Sequence, residues 1–172
     1  VQVEMLEAGF ATNVEFQYLH HQPGGQEYSK LSEMSDRIAS ATLQSGIGLT
    51  ILPALYQYGG CDKSNLTEGQ IRFGNSIDRY TKLCQEVSDT IKYLPADTNT
   101  GFSAHSLRAV GKHEIIELSE LTGDKPLHMH VAEQAAEVEE VFSAWGKRPV
   151  EWILENLPID SRWCLIHCTH ML

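Results

Sequence analysis

The chain has 172 residues, 42% of them hydrophobic and 21% charged, which is the composition of one soluble globular domain with enough apolar material for a core. Its 13 Lys and Arg against 23 Asp and Glu give a formal charge of -10, which argues against a nucleic-acid surface, because phosphates are neutralised by clustered cations. No apolar run reaches the roughly 18 residues of a membrane span, and Val1 to Phe10 holds two glutamates and no basic stretch, so neither a membrane nor export is expected.

In chain order, Thr12 to Leu19 reads as a β-strand and Ser32 to Gln44 as a helix. Gly48 to Leu55 reads as a buried strand. Ser76 to Tyr93 reads as a long amphipathic helix with Ile77, Tyr80, Leu83, Cys84, Val87 and Ile91 on one side. A short strand over Gly101 to Ala104 leads to a helix from Leu107 to Leu121, whose apolar stripe includes Ile115, Leu118 and Leu121. A strand over Pro126 to Ala132, helical stretches over Gln134 to Trp145 and Pro149 to Asn156, and a strand over Trp163 to Cys168 complete the pattern. Strands separated by helices call for a parallel sheet covered by helices, either open and doubly wound or closed as a (β/α)8 barrel. No repeat or linker interrupts the chain, so one domain over residues 1–172 is expected.

Three observations favour the barrel. No Gly-x-Gly-x-x-Gly or P-loop follows the first strand. Chemically capable residues gather at the C-terminal ends of several strands, at Tyr18, His105, His130 and His167, as barrel active sites do. The chain also stops just after a strand, and a complete barrel takes about 250 residues. The expected fold is therefore α/β, a partial (β/α)8 TIM-type barrel of about five central strands, lacking its first and last strands.

The strongest local signal is His128 to Gln134. In a strand, His128 and His130 share a face opposite Leu127, Met129 and Val131, and Glu133 follows at the strand end, within reach of whatever His130 binds. Read alone, the segment also fits two satisfied interior histidines and an acidic first turn of a helix favoured by the helix dipole. Two further His-bearing strand ends, Leu165 to His170 and Ser103 to Arg108, favour a site. Cys61, Cys84, Cys164 and Cys168 form no Cys-x-x-Cys pair, which favours free thiols and the cytoplasm. Cys164, His167, Cys168 and His170 fit no standard zinc ligand spacing. The acidic run Glu137, Glu139, Glu140 reads as a solvated helix face, His113 as exposed, His170 as outside the site, and Trp145, Trp152 and Trp163 as packing between helices and barrel.

The stretches VEFQYLHHQPGG, AHSLRAV, HMHVAEQ and LIHCTH resemble the metal-dependent amidohydrolase superfamily, and within it a branch that deaminates a linear amidine in histidine breakdown. The resemblance covers essentially the whole chain. It implies a hydrolase with one divalent metal ion, zinc by expectation, and His130 as the metal ligand. It implies catalytic roles for Glu133, which moves protons between water and the leaving nitrogen, and for His167 beside the metal. It implies substrate contacts from Tyr18, His105 and Arg108, the last suited to pair bidentately with a carboxylate. The superfamily's His-x-His pair and its last-strand Asp have no counterpart here, since adjacent His20 and His21 do not replace the pair, and His128 reads as a supporting residue. Partners expected are a small-molecule substrate carrying carboxylates and at most a second copy in a homodimer, with no nucleic acid and no membrane. Two readings compete: a related aminohydrolase acting on a nucleobase or s-triazine, and a non-catalytic remnant. The isolated chain is expected to be inactive and prone to aggregate, because an open sheet leaves its edges unpaired.

Overall fold

A computed structural model describes residues 1–171. The strands are β1 (Thr12–Gln17), β2 (Gly48–Leu55), β3 (Thr98–Thr100), β4 (Phe102–Ser106), β5 (Leu127–Val131) and β6 (Trp163–His167). The helices are α1 (Gln2–Glu7), α2 (Glu33–Ser45), α3 (Ile77–Ile91), α4 (Lys112–Leu121), α5 (Ala135–Trp145) and α6 (Pro149–Asn156). The sheet runs β1-β2-β4-β5-β6 with every pairing parallel, and β3 lies against β2. This is the expected parallel half-barrel. Parallel pairing puts all the C-terminal strand ends on one edge, where a site can be assembled.

One face of the sheet is covered by helices. Leu49 and Ile51 of β2 pack with Leu83 and Val87 of α3, while Leu55, Ala104, Met129 and Val131 join Ile115, Leu118, Val141 and Ile153 in the main core. The apolar side of α3 is the one expected from its period, with Tyr80, Leu83, Cys84 and Val87 buried. Trp145 and Trp152 meet edge to face at 4.7 Å, so the tryptophans of α5 and α6 pack the helical layer. Tyr80 also mends the sheet. Its hydroxyl donates to Pro53 O at 2.9 Å and accepts from Ser103 N at 3.1 Å, between strands that share only two register pairs.

The structure departs from the expectation in several places. The third strand begins before Gly101: β3 and β4 flank this glycine, whose N–H donates to Ile51 O. A Cβ at Gly101 would stand 2.5 Å from Pro126 O and 2.7 Å from Leu52 Cδ2, so a side chain does not fit there, and the polar run around it hides the strand. The helix expected from Leu107 begins at Lys112, because Ala109 and Val110 both donate to Ser106 O in a turn and Gly111 is extended at the N-cap. Leu121 is exposed rather than part of the buried stripe. The short α1 was not expected; Gln2 ties it to Thr42 and Ser45 of α2. Among the described residues no helix is long and apolar enough to cross a membrane.

Candidate active site

In β5 the side chains alternate as the pattern requires: Leu127, Met129 and Val131 are buried under the helices, and His128 and His130 lie on the other face, half-buried. The His130 Nδ1 atom is 3.1 Å from the carbonyl oxygen of His105. A carbonyl only accepts, so Nδ1 carries the proton and Nε2 is left with a free lone pair. This is the arrangement in which a histidine serves as a metal ligand, its second nitrogen holding the ring in place. Burial lowers the His130 pKa, against the opposing pull of the His105 carbonyl, and favours the neutral ring.

That carbonyl is free because the β4–β5 register slips between Ala104 and Ser106. The irregularity takes His105 out of the ladder, a common way of re-aiming a residue beside a site. Its ring sits among Tyr56 at 4.6 Å, His130 at 5.4 Å, Tyr18 at 5.6 Å and Phe16 at 6.2 Å. Burial first, then the charges of His130 and Arg108, push its pKa down to about 3, so it is neutral at working pH.

His167 ends β6 in register with Val131, a residue that faces the helices. Continued alternation would send the His167 ring the same way. Its backbone is instead left-handed, with φ 73°, and Cys168 (50°) and Ala132 (50°) share that unusual conformation. Such residues cost about 1–3 kcal/mol each and tend to occur at functional sites. As a result the His167 ring stacks on His130 at 5.5 Å and 25°, and its Nε2 stands 3.7 Å from Glu133 Oε1. The Glu133 side chain is 44% exposed, open to an incoming molecule.

The acidic run of α5 is only partly a solvated face. Glu139 is exposed, but Glu137 is buried and its two oxygens accept from Ala132 N and Glu133 N, each at 3.0 Å. Glu140 accepts from Cys61 N at 2.8 Å and pins the loop after β2. Burial, reinforced by Glu140, pushes the Cys61 thiol up to about 12, so it is no nucleophile.

Tyr18 lies just beyond β1, 40% exposed, edge-on to Phe73 at 4.9 Å as well as to His105. Arg108 sits in the turn before α4 and not on the helix, as the pattern had suggested. Its Nε is buried without a hydrogen-bond partner among the described residues, and its charge acts on His105, Tyr56 and Cys61. Five of the six expected residues, Tyr18, His105, His130, His167 and Glu133, thus form a chain of neighbours along the strand ends, with Arg108 beside it. Phe16, Tyr56, Phe73 and Glu137 were not anticipated. Phe16 packs under His130 at 4.2 Å, and nothing but its place on the His130 side of the sheet distinguishes it from core.

The remaining histidines lie elsewhere or have local tasks. His113 and His170 are exposed, and His128 is half-buried two residues upstream of His130. Buried His21 holds Gly74 O and Asn75 Oδ1, and buried His20 donates from Nε2 to Ala54 O at 3.0 Å. Burial pulls the His20 pKa down from 6.5 to about 4. The unfolded chain therefore takes up a proton that the folded chain refuses. This contribution to stability is complete above pH 6.5 and is lost as pH falls to about 4. The loss is on the order of 3 kcal/mol, and His20→Gln, which keeps a donor for Ala54 O, is expected to flatten the dependence of unfolding free energy on pH across that window. Among the described residues no group of three or more His, Cys, Asp or Glu is arranged to hold a metal ion, so His130 stands as one candidate ligand and not a complete set. All four cysteines are free thiols.

A parallel half-barrel with histidines and a carboxylate along its C-terminal edge has the fold of a TIM-type amidohydrolase barrel. Among solved structures it is similar to an amidohydrolase from Brucella melitensis, with a TM-score of 0.95 and 46% identity, covering 99% of this chain and 38% of that one. In particular, the chain is similar to the formimidoylglutamate deiminase of Pseudomonas aeruginosa, 41% identical over 169 residues, 98% of this chain and 37% of the deiminase. It thus spans little more than a third of the relatives it matches. A zinc-bound adenosine deaminase from Xanthomonas campestris shares the fold alone, with a TM-score of 0.64 and 18% identity over 94% of this chain and 31% of that one. No family model matches the chain.

Proposed function

We propose that this chain supplies the central strand ends of a cytoplasmic hydrolytic deiminase. The reaction is hydrolysis of the C=N bond of N-formimidoyl-L-glutamate, giving N-formyl-L-glutamate and ammonia. The observation that carries this reading is the His130–His167–Glu133 cluster, in which a neutral imidazole with a free Nε2, a stacked second imidazole and an accessible carboxylate meet at one place. The similarity to a formimidoylglutamate deiminase supports the choice of substrate.

A divalent ion, zinc in this proposal, would be held in part by His130 Nε2 and would lower the pKa of a water towards neutrality. Glu133 takes a proton from the attacking water and passes it to the departing nitrogen, acting first as base and then as acid. His167, within reach of both Glu133 and His130, holds the water and stabilises the charge that develops on its oxygen. Neutral His105 and the Tyr18 hydroxyl contact the substrate, and the Arg108 guanidinium, whose buried Nε has no hydrogen-bond partner among the described residues, takes one of its two carboxylates. A second reading is an aminohydrolase acting on a nucleobase or an s-triazine. It is favoured by the rings of Phe16, Tyr18 and Phe73, which offer apolar surface to a flat heterocycle.

The full-length protein is expected to release ammonia from formimidoylglutamate, to lose this activity on treatment with a chelator, and to recover it with added zinc. Turnover that survives complete metal removal would overturn the proposed role of His130.

A further inference from the structure

We infer that Glu137 is a positioning residue, which fixes the turn from which Glu133 is presented. The inference rests on the reading of Glu133 as the proton-transfer group. Glu137 is 5% exposed and makes no ion pair among the described residues, so its carboxylate is held by hydrogen bonds alone. Burying a carboxylate is costly unless its oxygens are satisfied. Here both are: Oε1 accepts from Ala132 N and Oε2 from Glu133 N, each at 3.0 Å. Two charge-assisted bonds to consecutive amides fix both peptide planes that flank Ala132, as a single bond cannot.

The position of this clamp matters more than its strength. Ala132 has φ 50°, a conformation that a non-glycine residue keeps only when its surroundings impose it. From the other side, Val131 O accepts from Cys168 N and Ala132 O accepts from His170 N, so the same turn is tied to the end of β6. Glu133 and His167 are thereby registered to each other through backbone, and their side chains meet at 3.7 Å. Gln134, the N-cap of α5, makes no side-chain cap bond, which leaves Glu137 as the group that reaches back over the start of the helix. Without it the Ala132 and Glu133 amides lose their acceptors and the turn is held from the β6 side alone, and a displacement of about 1 Å at a reacting group costs on the order of 100-fold in rate.

The test uses Glu137→Ala and Glu137→Gln in the full-length protein. Glu137→Ala is expected to lower kcat by about 10- to 100-fold with KM held within about threefold. Glu137→Gln, which keeps one acceptor, is expected to recover part of that loss. Residue-resolved amide exchange is expected to accelerate at Ala132 and Glu133 while the interior amides of β5 and α5 stay protected. The inference is overturned if kcat and KM deteriorate together, if exchange rises throughout α5 as in a simple loss of stability, or if the two amides remain protected in both variants. A wild-type protein that releases no ammonia would sink the deiminase reading instead, and the exchange of the two amides would still decide whether Glu137 fixes the turn.

Discussion

Glu133→Gln in the full-length protein is expected to lower kcat for ammonia release by about 10²- to 10⁴-fold, the usual worth of a positioned general acid–base, while KM changes little. The substitution keeps the size and shape of the side chain and removes only its capacity to accept a proton. Glu133 is 44% exposed and its backbone N–H is held by Glu137, so neither the core nor the turn depends on its charge. Thermal unfolding should accordingly be nearly unchanged, which separates this variant from one that merely misfolds. Near-normal turnover by Glu133→Gln would remove this residue from the chemistry.

Arg108→Met is expected to separate the two readings of the substrate. Methionine preserves much of the apolar length of the side chain but has no guanidinium for a carboxylate. For formimidoylglutamate the loss in kcat/KM is expected to be about 10- to 100-fold, matching the roughly 1.5–3 kcal/mol of hydrogen bonds to a charged group. For an uncharged amidine or a heterocyclic amine the change should be small. Steady-state kinetics with both kinds of substrate give the answer. If the uncharged substrate loses as much as the dicarboxylate, Arg108 acts through packing around Tyr56 and Cys61, and the dicarboxylate assignment falls.

Much of the framework is legible in the sequence, because period and punctuation are local. The alternation of Leu127 to Val131 and the one-sided stripe of α3 follow from strand and helix geometry. The gathering of Tyr18, His105, His130 and His167 at one edge follows from parallel pairing. What is not legible depends on tertiary context. Leu107 to Val110 looks helical, yet the chain turns there on Ser106 O, which places Arg108 in a turn. The irregularity at His105 and the left-handed backbone at Ala132 and His167 leave no mark on an apolar pattern. Glu137 looks like its exposed neighbour Glu139, and only the amides of Ala132 and Glu133 reveal why it is buried. The short β3 is hidden by polar residues, since it is secured by pairing with β2 and not by an apolar face.

Identification of the products tests the central claim most directly. Full-length protein with zinc and N-formimidoyl-L-glutamate should give N-formyl-L-glutamate and ammonia in equal amounts, with the new formyl oxygen drawn from water, as followed by mass spectrometry in isotopically labelled water. Formation of glutamate and formamide, or deamination of a nucleobase or triazine in preference to this substrate, would contradict it.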